Sequence, residues 1–397
     1  MCPNFSIPEE EVSQKNQTSL NILPSHELHV KWMKGNLSRK NSNRMDISLV
    51  SAFEYADQIA LQISSEGLFG EKVYCHYYDS MRQPLYQPFE SVVFPESIIY
   101  CLRKPRTKFV SLTRNFNDTP EFSIPLCDRT SSETTEPEHF FSVCIAPMYG
   151  AEPKWLMISE FIEYYKLQGA TYFYIYLVNL SKYDRMIVDD YVRTGEAEVI
   201  VLHERFKRHE SEWQHIQIHN CLLRSRAHAK WSAFVDLDER LAMNISHGTI
   251  VNYLRKINDF SIGTVIFRQR WIMKTELQPA NYTSENEMIK WMPTQRYTNT
   301  SSPGPQGHTT KCIIRPETIG AMWVHYPYIH YPGFREHRLD PKDGYVRHYR
   351  DLQLGSWGER WLKDVAKFGP FEETNLDKTI PEQLIKAVVK RVRYVYG

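Results

Sequence analysis

The sequence lacks any long apolar segment. No run of about 18 hydrophobic residues, the length of a membrane-spanning helix, occurs among its 397 residues, and residues 1–6 are polar where a secretory leader would lead into an apolar core. The sequence therefore contains neither a visible membrane anchor nor a signal peptide. We expect the start of the natural chain to be truncated here, because glycosylation motifs are frequent in the rest of the sequence.

An excess of charge of either sign is also missing. The 48 Lys and Arg residues nearly match the 47 Asp and Glu residues, and the formal net charge is +1. Nucleic-acid binding depends on a basic surface that neutralises phosphates, so no nucleic-acid partner is expected. The chain is long enough for a catalytic domain and a smaller accessory domain.

Three cofactor signatures are absent. The loop at residues 147–153 has one glycine instead of Gly-x-Gly-x-x-Gly, which disfavours a nicotinamide oxidoreductase. No His-Glu-x-x-His segment supports a zinc hydrolase, and the seven cysteines include no Cys-x-x-Cys pair, which disfavours a zinc knuckle.

The compartment is indicated by cysteines and glycosylation motifs. Four cysteines in the N-terminal half (Cys75, Cys101, Cys127 and Cys144) are the best disulfide candidates, and the odd total leaves at least one thiol free or bonded to another chain. Eight Asn-x-Ser/Thr motifs favour passage through the secretory lumen. They are Asn4, Asn16, Asn36, Asn117, Asn179, Asn244, Asn281 and Asn299.

Composition divides the chain into four parts. Residues 1–45 are a polar lead-in or stem, and 46–128 carry short aromatic and β-branched runs typical of a small β-rich accessory domain. Residues 129–138 are a polar linker. Residues 139–397 alternate strand and helix patterns, which predicts an α/β domain with a mainly parallel sheet and helices on both faces. Residues 279–310 are predicted to be a long surface loop, on the acceptor side if the chain is a transferase. The basic tail at 381–396 is predicted to be a helix with a solvated face rather than a binding site.

The central motif is a pair of aspartates after an apolar run. Asp236 and Asp238 follow residues 233–235, and in a strand they would share one face because the side-chain period is two. Ligands of open α/β sheets bind at the carboxyl ends of strands, and carboxylates there suit Mn²⁺ or Mg²⁺. The plain alternative is a strand end with a solvated acidic turn. Glu239 either supports the metal ligands of such a site without binding the metal, or has only a structural role.

A metal held by Asp236 and Asp238 would need a third protein ligand, and the histidines of residues 308–348 are the candidates. His348, in Tyr-Val-Arg-His-Tyr-Arg, is preferred because it is flanked by arginines that could meet phosphates, and Arg350 is the predicted phosphate contact. His325 is the main competitor. Lys311 and Arg315 frame a short strand and are also predicted to reach a diphosphate; the alternative for both is a solvated strand end.

Further site candidates come from one helix and from the late acidic residues. Gln217, Asn220 and Arg224 share a helix face that could meet a nucleotide or be an ordinary polar face. The Asp-x-Asp pattern of Asp236 and Asp238 is typical of nucleotide-sugar transferases, and an inverting enzyme of that class would also need a carboxylate base. Glu336, Asp340, Asp343 and Glu359 are available, and spacing does not separate them; Asp340 and Glu359 are carried forward as the catalytic candidates.

In combination, these motifs resemble glycosyltransferase family 92, which includes nematode galactosyltransferases. The resemblance covers about residues 138–365 and rests on 141–149, 155–170, 217–222, 234–240, 311–316 and 348–350. It implies a GT-A-type fold, a UDP-sugar donor (UDP-galactose foremost), Mn²⁺, inverting transfer to a glycan such as a fucosylated N-glycan, and a type II anchor in the Golgi membrane.

The chain departs from the family pattern at two points. The N-terminal anchor is not visible, and Asn220 stands where the pattern has Asp before Cys. The second departure could alter donor contacts or only a helix surface. The alternative function is a non-catalytic glycan-binding relative that keeps the fold.

Overall fold

The computed structural model describes residues 47–64, 70–95, 97–121, 123–130, 136–202, 213–351, 363–376 and 379–397. The chain forms two compact units. Of the described residues, the first unit contains those within 1–138 and 201–228, and the second contains those within 139–200 and 229–397. This division differs from the predicted 139–397 domain in one segment, because 201–228 groups with the accessory part.

The first unit is built from eight strands and one helix among the described residues. The strands are β1 (Leu49–Glu54), β2 (Gln58–Ile63), β3 (Lys72–Tyr78), β4 (Phe89–Val92), β5 (Ile98–Leu102), β6 (Phe109–Thr113), β7 (Ile124–Pro125) and β8 (Cys127–Asp128). They form two four-stranded sheets, in the orders β5-β2-β1-β8 and β4-β3-β6-β7. The predicted β-rich character of this part agrees with these sheets.

A shared apolar core and a disulfide join the two sheets. Ile59 and Leu61 of the first sheet are buried in one cluster with Val73 and Val110 of the second. Cys75 in β3 is bonded to Cys101 in β5, so the disulfide also links one sheet to the other. Burying alternate side chains of both sheets against each other is the usual way in which a small β unit obtains a core.

The helix of the first unit, Trp213–Ser225, packs on β1 and β2. Its own backbone takes part: Gln62 Nε2 donates to the Ile216 carbonyl at 2.7 Å, and the Tyr55 hydroxyl donates to the Leu223 carbonyl at 2.6 Å. The helix therefore completes the accessory unit, although it lies in the sequence between strands of the other unit.

The second unit contains the remaining described elements. The helix of the first unit, Trp213–Ser225, is labelled α3 in chain order. The helices of the second unit are α1 (Trp155–Leu167), α2 (Lys182–Arg193), α4 (Ile250–Arg255), α5 (Glu285–Trp291), α6 (Pro293–Arg296) and α7 (Thr379–Tyr396). Its strands are β9 (His139–Ile145), β10 (Tyr172–Leu177), β11 (Ala197–Val201), β12 (Ala229–Val235), β13 (Glu239–Met243), β14 (Ile262–Phe267), β15 (Gln269–Lys274), β16 (Asn299–Thr300), β17 (Lys311–Ile314), β18 (Ile319–Met322), β19 (Pro327–His330), β20 (Arg335–Arg338), β21 (Gly344–Asp351) and β22 (Glu372–Glu373).

A seven-stranded sheet organises this unit, in the order β11-β10-β9-β12-β17-β14-β20. Strand β9 is parallel to both β10 and β12, and β14 is parallel to β20, whereas β17 is antiparallel to both of its neighbours. Beside it, β13-β21-β15 form a three-stranded sheet. The predicted α/β class with a mainly parallel sheet is confirmed.

The local sequence accounts for the helix boundaries. Ser181 caps α2 by accepting a hydrogen bond from the Asp184 amide at 3.0 Å. Gly169 follows α1 with a φ of +96°, and a Cβ there would lie 2.4 Å from the Val251 side chain, so glycine is required twice over. These signals are why the strand–helix alternation could be predicted so closely.

Two predictions about the later sequence need correction. Residues 279–310 are not one long loop, because α5, α6 and β16 lie within them; Ser284 caps α5 by accepting from the Glu287 amide. The basic tail is helical as predicted, but α7 is not merely a solvated face. It buries Leu384, Val388 and Val392 and packs chiefly against α1.

The cysteines follow the prediction, with one addition. Cys75, Cys101, Cys127 and Cys144 are all disulfide-bonded, and so is Cys221, which the sequence did not single out. Among the described residues Cys312 is a free thiol, buried in β17. Separately, the described helices include none with both the length and the apolar character needed to cross a membrane.

Acid should destabilise the first unit through His219. This α3 side chain is buried, and its Nε2 atom has no hydrogen-bond partner. Burial, with the charge of His215, lowers the pKa of His219 to about 4 from an unfolded value near 6.5. Below about pH 6.5 the unfolded chain therefore binds a proton at this residue more readily than the folded protein does. The free energy of unfolding should fall by up to about 3 kcal/mol as the pH is lowered from about 6.5 to about 4.

Urea unfolding of the wild type and of His219→Leu at about pH 7 and about pH 4.5 tests this. The variant should lose less stability between the two conditions than the wild type does. An equal loss in both proteins would show that His219 does not carry the acid sensitivity.

Candidate active site

The aspartate pair lies in the turn between β12 and β13. Strand β12 ends at Val235, and the Glu239 amide donates to the Asp236 carbonyl at 3.0 Å to close the turn. The prediction that both aspartates share one face of a strand is therefore wrong, because neither is in the strand. The turn still places them at the carboxyl edge of the seven-stranded sheet.

Lys311 ties this turn to the neighbouring strand β17. Its Nζ atom lies 2.9 Å from Asp236 Oδ1 and 3.2 Å from Glu239 Oε2, and its side chain is 2% exposed. Burial lowers the pKa of Lys311, but the two carboxylates outweigh that effect and raise it. The predicted contact of Lys311 with a diphosphate is not supported, since the ammonium group is enclosed between carboxylates.

Asp238 faces the side chains of β21. His348 Nε2 lies 3.2 Å from Asp238 Oδ2, and an Arg350 guanidinium nitrogen lies 3.7 Å from the same oxygen. Residues 348 and 350 share one face of β21 because the side-chain period of a strand is two. Arg347 therefore points the other way, and it is buried with hydrogen bonds to Thr374.

A hydrogen-bonded chain sets the orientation of the imidazole. Gln269 Nε2 donates to Glu239 Oε1 at 2.7 Å, which turns its Oε1 toward His348 Nδ1 at 3.1 Å; Thr309 also donates to this oxygen at 3.0 Å. The Gln269 oxygen can only accept, so His348 Nδ1 is the donor. In the neutral imidazole Nε2 then presents its lone pair to Asp238 Oδ2.

Two lone pairs that face each other require a positive charge between them. A proton on Nε2 or a bound cation meets this requirement, and fixing one imidazole nitrogen by a hydrogen bond is the usual way in which proteins orient a metal-ligating histidine. Adjacent ligands of an octahedral ion with bonds of about 2.1 Å lie about 3 Å apart, which the separation of 3.2 Å between His348 Nε2 and Asp238 Oδ2 fits. Carboxylate and imidazole also suit Mn²⁺ chemically.

Charges within this pair support each other. Burial raises the pKa of Asp238, but His348 and Arg350 outweigh it and hold that pKa well below its ordinary value. Burial lowers the pKa of His348, but Asp238 outweighs it and raises that pKa. Asp236 stands apart: within the described residues it does not complete a cluster with all three ligand atoms inside 4.8 Å of one another.

Arg315 lies at the wrong end of its strand for the predicted role. Because β17 is antiparallel to β12, Lys311 at its start lies beside the end of β12, whereas Ile314 pairs with Ser232 near the start of β12. Arg315 follows Ile314 and donates to the Phe260 carbonyl at 3.0 Å. About four residues of strand, roughly 13 Å, separate it from the aspartate edge.

The polar face of α3 packs within the first unit. Asn220 Nδ2 donates to Gln62 Oε1 at 2.7 Å and to Ser51 Oγ at 2.8 Å, and Arg224 donates to Asn220 Oδ1 at 3.2 Å. Gln217 on the same helix is buried. The structure gives Asn220 and Arg224 partners within this unit instead of the predicted nucleotide contacts, and it encloses Gln217 in the same unit.

The remaining candidates are placed as follows. His325 Nδ1 lies 3.1 Å from the Thr310 carbonyl, and burial, with the charge of Lys311, lowers the pKa of His325 to about 4. Asp340 is exposed just after β20, where it accepts from the Lys342 amide at 2.9 Å. Three strand spacings, about 14 Å, separate β20 from β12. Glu359 lies outside the described residues.

Sequence reasoning missed Gln269 and underrated Glu239. Glu239 accepts from the Asp236 amide at 2.9 Å as well as from Lys311 and Gln269, so one buried carboxylate holds the turn and the imidazole chain together. Adjacency to the aspartates was a signal for Glu239. Gln269 carried none, because its position depends on how β15 pairs with β21.

Replacing Lys311 should cost far more stability than replacing Arg315. Lys311→Met leaves the fully buried Glu239 and the partly exposed Asp236 without their counter-ion, which costs about 3–5 kcal/mol. Arg315→Met removes a partly exposed group and one backbone contact, which costs about 1 kcal/mol or less. Urea unfolding of the two variants of the same strand is the measurement, and equal losses would contradict the central role of Lys311.

Removing the Asp238 carboxylate should weaken divalent-cation binding by at least about tenfold without unfolding the protein. Asp238→Asn keeps the backbone contact in which the Tyr349 amide donates to the Asp238 carbonyl at 2.8 Å. Calorimetric titration with Mn²⁺ measures the affinity, and thermal unfolding checks the fold. Exposed Asp259→Asn is the matched control. Unchanged Mn²⁺ affinity in Asp238→Asn would remove this residue from the site.

Comparison with known proteins agrees with the resemblance predicted from the motifs. The beta-1,4-galactosyltransferase galt-1 of Caenorhabditis elegans is 24% identical over 222 residues, 54% of this chain and 49% of the relative, so the match spans about half of that protein. Among solved structures, S. aureus TarS 1–349 shows 13% identity with a TM-score of 0.30, covering 64% of this chain and 71% of that one. The mannosyltransferase PcManGT from Pyrobaculum calidifontis, in complex with GDP-Man and Mn²⁺, shows 10% identity with a TM-score of 0.33, covering 66% and 75%. The family model of glycosyltransferase family 92 matches residues 139–384, well over half of the chain. The chain belongs to glycosyltransferase family 92.

Proposed function

We propose that this protein transfers a hexose from a UDP-sugar to a glycan acceptor and depends on a divalent cation, Mn²⁺ foremost. The observation that carries the proposal is the pair formed by Asp238 and His348, two cation-ligating groups 3.2 Å apart at the carboxyl edge of the sheet. Family membership supports the transferase class. The carboxyl edge is where open α/β sheets bind nucleotides.

Each group at the site has a distinct task in this proposal. Asp238 and His348 hold the cation, and Gln269 keeps the imidazole turned toward it. Arg350, with 35% of its side chain exposed, lies next to Asp238 and meets the diphosphate oxygens. Asp236, held by Lys311, contacts the nucleotide at its side of the turn. Mn²⁺, when bound, supplies positive charge to the diphosphate leaving group.

The transfer itself is a single displacement. The acceptor hydroxyl oxygen forms a bond to the anomeric carbon while the bond from that carbon to the diphosphate oxygen breaks, and the electron pair leaves with UDP. A carboxylate takes the hydroxyl proton, and the configuration inverts. Asp340 and Glu359 remain the proposed bases, Asp340 because it lies at the same edge of the sheet as the aspartate turn.

Galactose is the proposed sugar, and a fucosylated N-glycan is the proposed acceptor. The support is the printed activity of the Caenorhabditis elegans relative, a beta-1,4-galactosyltransferase. A secretory location, as a Golgi protein with a type II anchor upstream, is proposed with it. All five glycosylation-motif asparagines among the described residues are exposed, and the disulfides fit an oxidising lumen. These five are Asn117, Asn179, Asn244, Asn281 and Asn299.

Release of UDP from UDP-galactose is the decisive measurement, with Mn²⁺ present or chelated and with a panel of fucosylated and galactosylated glycans. The wild type should release UDP only with the metal and faster with an acceptor. The Asp236→Asn/Asp238→Asn double variant should lose at least about a hundredfold of the rate, since removal of comparable charge stabilisation costs this much.

Asp259→Asn, an exposed aspartate paired with Arg335, should remain fully active. A folded wild type that binds glycans but releases no UDP from any UDP-sugar would identify the non-catalytic relative instead. Release that continues after chelation would overturn the metal dependence while leaving the transferase class standing.

A further inference from the structure

A second concave site lies at the same edge of the sheet. It is a pocket of about 610 Å³, within the range of about 300–1,000 Å³ that small-molecule sites occupy. Its lining comes from the end of β14, the residues before β17, the β18–β19 hairpin and the end of β20. The lining residues that matter for its chemistry are Arg268, Tyr326, Tyr328, Glu336, Arg338 and Asp340.

The register of the sheet places this pocket beside the aspartate turn. Thr310, which lines the pocket, directly precedes Lys311, whose Nζ atom binds Asp236. On the other side of β17, Phe267 pairs with Lys311, and Arg268 then enters the pocket lining. A single strand, about 5 Å wide, therefore separates the two sites. A molecule in the pocket can reach toward one held at Asp238.

The charges of the pocket balance. Two arginines and two carboxylates line it, and they are already engaged. Arg338 donates to Glu336 Oε1 at 2.5 Å, Arg268 donates to the Gly304 carbonyl at 2.7 Å, and Asp340 accepts from the Lys342 amide. The aspartate turn differs, because a divalent cation held there under the proposed function would, together with Arg350, attract a phosphate. The pocket consequently suits an uncharged ligand with many hydroxyl groups better than a phosphate.

Two tyrosines give the pocket flat apolar surface. Tyr326 and Tyr328 both line the cavity. They are 37% and 43% exposed, which are high values for large aromatic side chains. A pyranose ring has an apolar C–H face that packs on aromatic rings, while its hydroxyl groups both donate and accept hydrogen bonds. The pair of Glu336 and Arg338 offers an acceptor and several donors side by side for such hydroxyl groups.

We propose that this pocket is the acceptor subsite and binds a neutral pyranose ring of the glycan, with Tyr328 against the ring and Glu336 and Arg338 on its hydroxyl groups. The assignment of the pocket as an acceptor subsite rests on the proposed function, whereas the binding of a sugar ring in the pocket does not depend on it. It explains why Asp340, a proposed base, lies in the pocket lining rather than next to Asp238: it approaches the acceptor, not the diphosphate.

Saturation-transfer NMR with the methyl glycosides of fucose, galactose and N-acetylglucosamine tests the pocket directly. The wild type should give a signal with at least one of them. Tyr328→Ala and Arg338→Gln should each reduce that signal and raise the KM for the corresponding glycan by about tenfold, the equivalent of about 1.4 kcal/mol. Tyr394→Ala, an exposed tyrosine on α7, is the matched control and should change neither quantity.

Calorimetric titration with UDP-galactose and Mn²⁺ separates this inference from the proposed function. Donor affinity should be the same in Tyr328→Ala and the wild type. If the wild type binds a methyl glycoside but no UDP-sugar, the pocket stands and the proposed function fails. Three results would overturn the pocket as the acceptor subsite. The wild type could bind the donor but give no signal with any methyl glycoside, or the signal and the KM could be unaltered in both pocket variants. The third result is a fall in donor affinity in the pocket variants.

Discussion

The site depends on one buried ammonium group shared by two carboxylates. Lys311 on β17 holds Asp236 and Glu239, and Glu239 in turn fixes Gln269, which orients His348. Carboxylates this close would repel one another without a cation between them. The side-chain contacts from Lys311 through Glu239 and Gln269 to His348 therefore depend on a single charge, and they help to set the geometry at Asp238.

The edge of the sheet is divided by electrostatics. At the aspartate turn, three carboxylates (Asp236, Asp238 and Glu239) are matched by Lys311, Arg350 and His348. Under the proposed function, a divalent cation would add the positive charge that a diphosphate needs. Across β17 the arginines are paired with carboxylates or carbonyls, and aromatic rings replace charge. Under the proposed function, a donor that carries a diphosphate and an acceptor that carries only hydroxyl groups would thus be distinguished by charge.

Local patterns predicted the elements well but not their partners. Strand β12 and helix α1 follow from apolar runs, caps and Gly169, which are properties of neighbouring residues. Arg315 was misplaced because the direction of β17 cannot be read from its four buried residues. Asn220 and Arg224 were misassigned because a polar helix face looks the same whether it meets a ligand or Gln62. His348 was found through its flanking arginines, whereas Gln269 is defined only by strand pairing.

The position of α3 has an evolutionary consequence. The helix is encoded between β11 and β12 of the second unit, yet its contacts with β1 and β2 complete the first. The two units are therefore interleaved in the gene, and no uninterrupted coding segment contains the whole of one unit without part of the other. A lineage that lost residues 47–130 would leave the buried face of α3 bare. We therefore expect the two units to be inherited together.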